Sequence, residues 1–235
     1  MGTAVHITES TAKGRGRFPS IYWLGLLLIP IIGAMAFAIF QPIQVLPRIS
    51  LAPGYAFVDQ HGERLTSDDQ RGKLTFYTFT YTGCEDPCPN PVQGLKTVES
   101  VADRIDTAGL PVEFVAISID PDRDTPGRLA EFAEAHGAVS DRWHFVTGDA
   151  RQLKNVIGGG FGAYYDQAED GSIKFDPQFV LVDGWGIRRA VYRTHDPDPA
   201  LIERDLNFIT DEYVNSEGLN RLGYEAAHLF LCYPD

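Results

Sequence analysis

An α/β fold is predicted by three features of this 235-residue chain. Apolar runs of strand length alternate with amphipathic runs of helical length from residue 55 onward. Leu74 to Tyr81 and Val112 to Ile119 are near-continuous apolar or β-branched runs, as parallel strands covered on both faces require. Two cysteines, Cys84 and Cys88, stand four apart where the first of these runs ends and a helix-compatible run begins. Strand, helix, strand, helix, then a hairpin and a helix is the order of a thioredoxin-like domain, with the cysteine pair after its first core strand.

The elements follow in order. Residues 1–18 are polar and contain Gly, Ser and Thr, as a disordered cytoplasmic tail does. Ile21 to Phe40 is a 20-residue run without a charged side chain, which predicts a transmembrane anchor over 19–41. Lys13, Arg15 and Arg17 precede it and only Arg48 follows closely. That asymmetry predicts a membrane-anchored protein, in the plasma membrane, with a cytoplasmic N-terminus and the soluble domain on the extracytoplasmic side. Ala34-Met35-Ala36 offers a signal-peptidase site, but the apolar run outlasts it, so a retained anchor is expected. Residues 42–53 form a proline-containing linker and 54–214 the thioredoxin-like domain; 215–235 is expected to be a C-terminal helical extension.

Within the domain, Tyr55–Val58 and the turn at His61-Gly62 predict a small hairpin. Val92, Leu95, Val98, Val101 and Ile105 place a helical stripe on Pro91–Ile105. Asp124-Thr125-Pro126 reads as a cap followed by Pro in the first turn, leading into Leu129–Ala135. His144–Val146 is a short strand, and Asp149 caps a helix expected to end at the triple glycine 158–160. Phe179–Asp183 and Ile187–Tyr192 form a hairpin turning at Gly184-Trp185-Gly186. Asp198-Pro199 starts a last long helix, to about Val214, with a further helix over Leu219–Leu231.

The chemistry starts from the cysteines. A helix N-terminus presents unpaired N–H groups and the positive end of its dipole, so a thiolate placed there is stabilised. Thiolates attack disulfides and are soft ligands for Cu(I). A structural disulfide, an exchanging pair and a metal site all satisfy this placement; zinc would require further Cys or His at short spacing, and none follows. The net charge of −12 excludes a nucleic-acid partner, whose backbone would repel such a surface. With 3 cysteines this is no disulfide-built scaffold, and Cys232 is expected to be a buried free thiol.

Two stretches, Phe79-Thr80-Tyr81-Thr82-Gly83-Cys84 with Cys88-Pro89, and Ala116-Ile117-Ser118-Ile119-Asp120-Pro121-Asp122-Arg123-Asp124-Thr125-Pro126, resemble the Sco/SenC family. Trp143 and Thr147-Gly148 follow at family-like spacing, and the resemblance covers about residues 54–210. It implies a membrane-anchored thioredoxin-like protein of cytochrome c oxidase assembly, whose Cys84 and Cys88 bind copper or cycle between dithiol and disulfide. The implied partners are the membrane and a respiratory oxidase subunit, or the apoprotein of its copper site. The activity is then that of a thiol–disulfide oxidoreductase or of a metallochaperone.

One departure stands out. Counting back from Asp183, the family's histidine ligand falls at Phe175. Two thiolates can hold Cu(I), but Cu(II) wants a nitrogen donor. His195 is the substitute considered: if the hairpin is symmetric about its glycine turn, position 175 faces 194. The alternative reading of His195 is an exposed loop residue beside Asp196 and Asp198.

Asp120, Asp122 and Asp124 are read as capping and loop hydrogen-bonding residues with Arg123 as partner rather than as a cation site. His61 and His136 are expected at the surface, His144 in a structural role, and Tyr164 and Tyr165 at the rim of the site or in packing. A peroxidase on the same fold is disfavoured, because Tyr81 stands where that chemistry places a Thr or Ser hydroxyl three residues before the cysteine. A non-catalytic, ligand-depleted subunit of a membrane respiratory complex is the alternative from another functional class, since fold does not fix function.

Overall fold

The computed structural model describes residues 20–40, 43–84, 91–168, 171–218 and 220–230. The expected tail over 1–18 and Cys232 lie outside these residues. The chain divides into two units, Met1–Pro42 and Ile43–Asp235.

The first unit holds helix α1, Ser20–Phe40, with Pro30 inside it. Its Tyr22, Trp23, Leu26, Ile29, Ile32 and Ile39 are more than half exposed. Among the described residues no helix is long and apolar enough to cross a membrane. The side chains of Ser20, Ile21, Leu24, Phe37, Ala38 and Phe40 in α1 lie outside the described residues.

The second unit is built on one eight-stranded mixed sheet. In chain order its elements are β1 (Ser50–Leu51), β2 (Ala56–Asp59), β3 (Arg64–Thr66), β4 (Leu74–Thr80), α2 (Pro91–Ala102), β5 (Val112–Ser118), α3 (Pro126–Ala135) and β6 (Trp143–Thr147). There follow α4 (Ala150–Lys154), a π-helical segment (Asn155–Phe161), β7 (Tyr165–Gln167), β8 (Ile173–Phe175), β9 (Phe179–Val182), β10 (Ile187–Tyr192), α5 (Pro199–Asn215) and α6 (Asn220–Phe230). The spatial order is β1-β10-β9-β4-β5-β6-β2-β3, while β7 and β8 form a separate two-stranded ribbon. β4, β5 and β6 run parallel, and the β9–β10 hairpin adds antiparallel against β4.

The strands alternate as a sheet with two covered faces must. Leu74, Phe76, Phe114, Trp143 and Leu181 pack under α2, α3 and α5, where Val92, Leu95, Leu129 and Leu206 meet them. On the other face Tyr77, Phe79, Ile117 and Val180 pack with Leu153, Ile157 and Phe161. Cys84 belongs to this second cluster.

Local signals place the helix starts. Thr125 caps α3 by accepting from the Arg128 N–H, with Pro126 at the first position, and Asp149 caps α4 by accepting from the Arg151 and Gln152 N–H groups. The expectation that the triple glycine ends this helix is corrected: α4 stops at Lys154, before the glycines. The backbone passes through 158–160 as a π-helical segment and closes at Gly162, whose φ is 72°. Tertiary contact explains the difference: Phe161 must reach the rings of Tyr77 at 4.9 Å and Phe79 at 5.5 Å.

Gly94 in α2 is a close approach. A Cβ there would lie 2.4 Å from the Phe179 ring and 2.7 Å from the His195 carbonyl oxygen. Gly94→Ala should therefore cost about 1–3 kcal/mol through overpacking. A lower urea midpoint at unchanged m-value is the expected reading.

Candidate functional site

Strand β4 leaves the sheet at Thr80, and Tyr81 to Cys84 turn back at once, the Cys84 N–H donating to the Tyr81 carbonyl at 3.1 Å. Cys84 is 6% exposed and disulfide-bonded. Its expected partner, Cys88, lies outside the described residues, and α2 begins just beyond at Pro91. The sulfur thus sits at the carboxyl end of a central parallel strand, where open α/β sheets place their sites.

The loop carrying Cys84 is fixed from the side by Asp124, which is fully buried. Both carboxylate oxygens accept from the Thr82 N–H at 3.2 Å; Oδ1 also accepts from the Thr82 hydroxyl at 2.5 Å and Oδ2 from the Ser118 hydroxyl at 2.6 Å. Charge-assisted bonds of this kind are the strong ones. Of the two roles expected of Asp124, loop hydrogen bonding holds and capping is corrected: Thr125 caps α3, and Asp124 turns towards the cysteine loop. Asp120, 2% exposed, pairs with Arg123 as expected. Arg123 also donates to the Gly171 carbonyl at 3.2 Å, which ties the β7–β8 ribbon to this end of the sheet. Asp122 is exposed.

That tie brings Phe175 to the site. Its ring meets the Tyr81 ring edge-on at 6.1 Å and packs against the cluster that contains Cys84. The expected position of Phe175 beside the cysteine loop thus has a physical route, but not the one inferred from the hairpin. Phe175 ends β8 and pairs with Tyr165, whereas β9 starts at Phe179. The hairpin itself carries a bulge between Arg188 and Ala190, so Phe179 faces Tyr192 and the symmetric register does not hold. His195 is exposed, three residues past β10, with its carbonyl against α2 at Gly94.

Among the described residues no group of three or more His, Cys, Asp or Glu side chains could hold a metal ion. The donor set at Cys84 is sulfur in an apolar, aromatic wall, which suits a soft monovalent ion and offers a harder one little. The remaining histidines sit elsewhere: His61 is exposed in the β2–β3 turn, His136 caps the end of α3 with its Nδ1 at 2.8 Å from the Phe132 carbonyl, and His144 meets Glu113 at 2.9 Å. Burial opposes ionisation of Glu113, but hydrogen bonds and charge from His144 and Lys73 prevail and hold its pKa below the usual value. Tyr164 is 57% exposed, and Tyr165 lies under the Lys154 ammonium at 4.9 Å and packs against the cluster that contains Cys84.

A charge cluster that the sequence did not announce lies at the opposite end of the sheet. Arg189, fully buried, donates to Asp183 at 3.0 Å, to the Leu46 carbonyl at 2.9 Å and to Glu212 at 2.5 Å. Glu212 also accepts from Arg48 at 3.0 Å and meets the His228 Nε2 at 2.8 Å. The network is structural: it binds the segment before β1, the hairpin, α5 and α6 together.

The SCO1/SenC family model matches residues 46–209. An SCO2-like protein of Rickettsia prowazekii is 29% identical over 109 residues, covering 46% of this chain and 50% of that protein, so the chain spans about half the length of such curated relatives. The Arabidopsis thaliana ScoI structure with copper bound matches at a TM-score of 0.58 and 22% identity, covering 68% of this chain and 98% of that one. BsSco, in which a disulfide switch was identified and which is described as one of the Sco family of cytochrome c oxidase assembly proteins, matches at a TM-score of 0.61 and 20% identity, covering 71% and 97%. At these identities the structural likeness shows the fold, and the family model, matched over more than half of the residues, shows that the chain belongs to the SCO1/SenC family.

Proposed function

We propose that this is a membrane-anchored Sco-type protein whose Cys84 and Cys88 handle copper as cargo and exchange between disulfide and dithiol, in the assembly of a respiratory oxidase's copper site. The observation that carries it is the oxidised, buried Cys84 on a loop pinned by Asp124 at a strand–helix junction. Reducing its disulfide takes two electrons and two protons and frees two thiols. Loss of those protons yields soft donors at the mouth of α2, where the helix dipole favours negative charge. Asp124 keeps Thr82 and hence the Cys84 backbone in place in both states, and the apolar wall of Tyr81 and Phe175 limits water at the sulfur.

Copper titration tests this reading. The reduced full-length chain should bind one Cu(I) through Cys84 and Cys88, and bind Cu(II) weakly, because Phe175 supplies no nitrogen. Phe175→His should raise Cu(II) affinity and bring up a thiolate-to-copper absorption band. His195 is the nitrogen donor proposed for whatever Cu(II) binding the unaltered chain has, so His195→Ala should abolish it and spare Cu(I). Alkylation mapping of the oxidised protein should find Cys84 and Cys88 blocked together; a link from either to Cys232 would overturn the pair. A second reading, a ligand-depleted subunit that only docks, is favoured by the packing of Phe175 on Tyr81, and absence of Cu(I) binding by the reduced protein would establish it.

The anchor is part of the same proposal. α1 is 21 residues long without a charged side chain and exposes large apolar groups along its length, which water does not favour. The full-length protein should resist carbonate extraction with its N-terminus retained. A mature chain starting near Phe37 would mean a cleaved signal.

A further inference from the structure

Helix α6 has two apolar faces where a surface helix has one. Tyr224 and Ala227, 9% and 0% exposed, form the face packed on the domain. Leu222 and Leu229 are 71% and 77% exposed and stand seven positions apart, nearly two turns, on the opposite side. Close by, Trp185 in the β9–β10 turn and Tyr213 and Val214 at the end of α5 are 54%, 46% and 55% exposed. They share one open depression with Arg48 and Arg221 and with three acidic residues, Glu212, Glu217 and Glu225. All of this lies at the end of the sheet opposite Cys84, since Trp185 follows the end of β9 that pairs with the start of β4.

The chain's own path selects the occupant of this end. Ile43 packs on α6, its Cδ1 2.9 Å from where a Gly223 side chain would begin, and Arg48 reaches Glu225 at 3.4 Å and Glu212 at 3.0 Å. Ile43 follows the last residue of α1 by three positions, at most about 11 Å of extended backbone. A surface tethered so closely to a bilayer meets lipid at a high effective concentration that no freely diffusing partner matches. Its residues are also those that headgroup regions hold: Trp and Tyr with an apolar body and polar tip, Arg with an apolar stem, and Leu to enter below them.

We propose that this end of the domain, α6 with Trp185 and Tyr213, rests on the headgroup layer of the bilayer that holds α1. The inference rests on the anchor proposed above and adds an orientation to it. The lipid is zwitterionic in kind, because a net charge of −12 and the three glutamates of the depression disfavour an anionic surface, while a headgroup with both phosphate and ammonium meets Arg and Glu alike. Cys84 is then held away from the bilayer by the seven-residue strand β4, about 23 Å at 3.3 Å per residue. A membrane-bound acceptor must present its copper or thiol site at that height.

Tryptophan quenching tests the orientation. The full-length chain carrying Trp23→Phe is reconstituted in phosphatidylcholine vesicles with bromine placed just below the headgroups. Trp143 is 1% exposed, which leaves Trp185 as the accessible indole. Trp185 emission should fall relative to plain vesicles, and less with bromine at the bilayer centre. Leu222→Glu with Leu229→Glu should abolish that quenching while the protein still floats with the vesicles. Flotation with identical emission in brominated and plain vesicles overturns the orientation and leaves the anchor standing. Failure to float overturns both. Emission that ignores bromine but shifts as the protein-to-lipid ratio rises assigns the face to a second copy of the chain and likewise overturns the proposal.

Discussion

Replacing Arg189 by methionine should lower the stability of the domain by about 3–5 kcal/mol, the cost of leaving buried charge without its partner. Asp183 and Glu212, 1% and 2% exposed, would face each other across an apolar side chain, and the Leu46 carbonyl would lose its donor. Methionine fills most of the volume, so packing loss is the smaller part. Adding Glu212→Gln should recover part of the loss, because one uncompensated carboxylate is then gone; two costs that simply add would show that the groups do not act together. The same cluster sets a pH dependence. Burial opposes ionisation of Glu212, but hydrogen bonds from His228, Arg189 and Arg48 and the Arg189 charge prevail and bring its pKa from 4.5 to about 2. A carboxyl lowered in the folded state stabilises above its unfolded pKa and loses that contribution as pH falls through the folded one. About 3 kcal/mol should therefore disappear between pH 4.5 and 2, at about 1.4 kcal/mol per pH unit. Urea midpoints across that window, with and without Glu212→Gln, measure it: the variant should show a flatter profile.

Asp124→Ala should cost about 2–4 kcal/mol, because three donors from Thr82 and Ser118 lose a fully buried acceptor at once. The functional readout is sharper than the stability loss. Thr82 is two residues from Cys84, so its release should let a reductant reach the disulfide faster. Dithiothreitol reduction of the variant, followed by thiol titration under native conditions, should be quicker than in the unaltered protein. Asp124→Asn keeps one accepting oxygen and should fall between the two. An unchanged reduction rate in Asp124→Ala, with the expected loss of stability, would show that the carboxylate holds the fold but not the cysteine loop.

The main strands and helices were legible because their causes are short-range. The continuous apolar or β-branched runs of β4 and β5, the Thr125-Pro126 and Asp149 starts, and the glycine turn at 184–186 each act within a few residues. The cysteine pair and the Asp-Pro-x-Arg-Asp-Thr-Pro stretch were legible as motifs, and so was the absence of a histidine at Phe175. Asp124 was visible as a residue but not as a partner: its choice of Thr82, 42 positions away, depends on β4 and β5 lying side by side. His195 was placed by a hairpin symmetry that the bulge at Arg188 and Ala190 breaks.

What the sequence determined by itself, then, is the alternation of strands and helices and the place of Cys84 at the exit of β4, just before α2. Tertiary structure alone decided that Arg189 turns inward to meet Asp183 and Glu212, that the backbone runs through 158–160 to deliver Phe161 to the core, and that Phe175 reaches Tyr81 from a separate ribbon. Each of these is a contact between segments distant in the chain, and its free energy exists only once the sheet has brought both sides together; a periodicity or a cap, in contrast, is written in the geometry of a single turn or pleat.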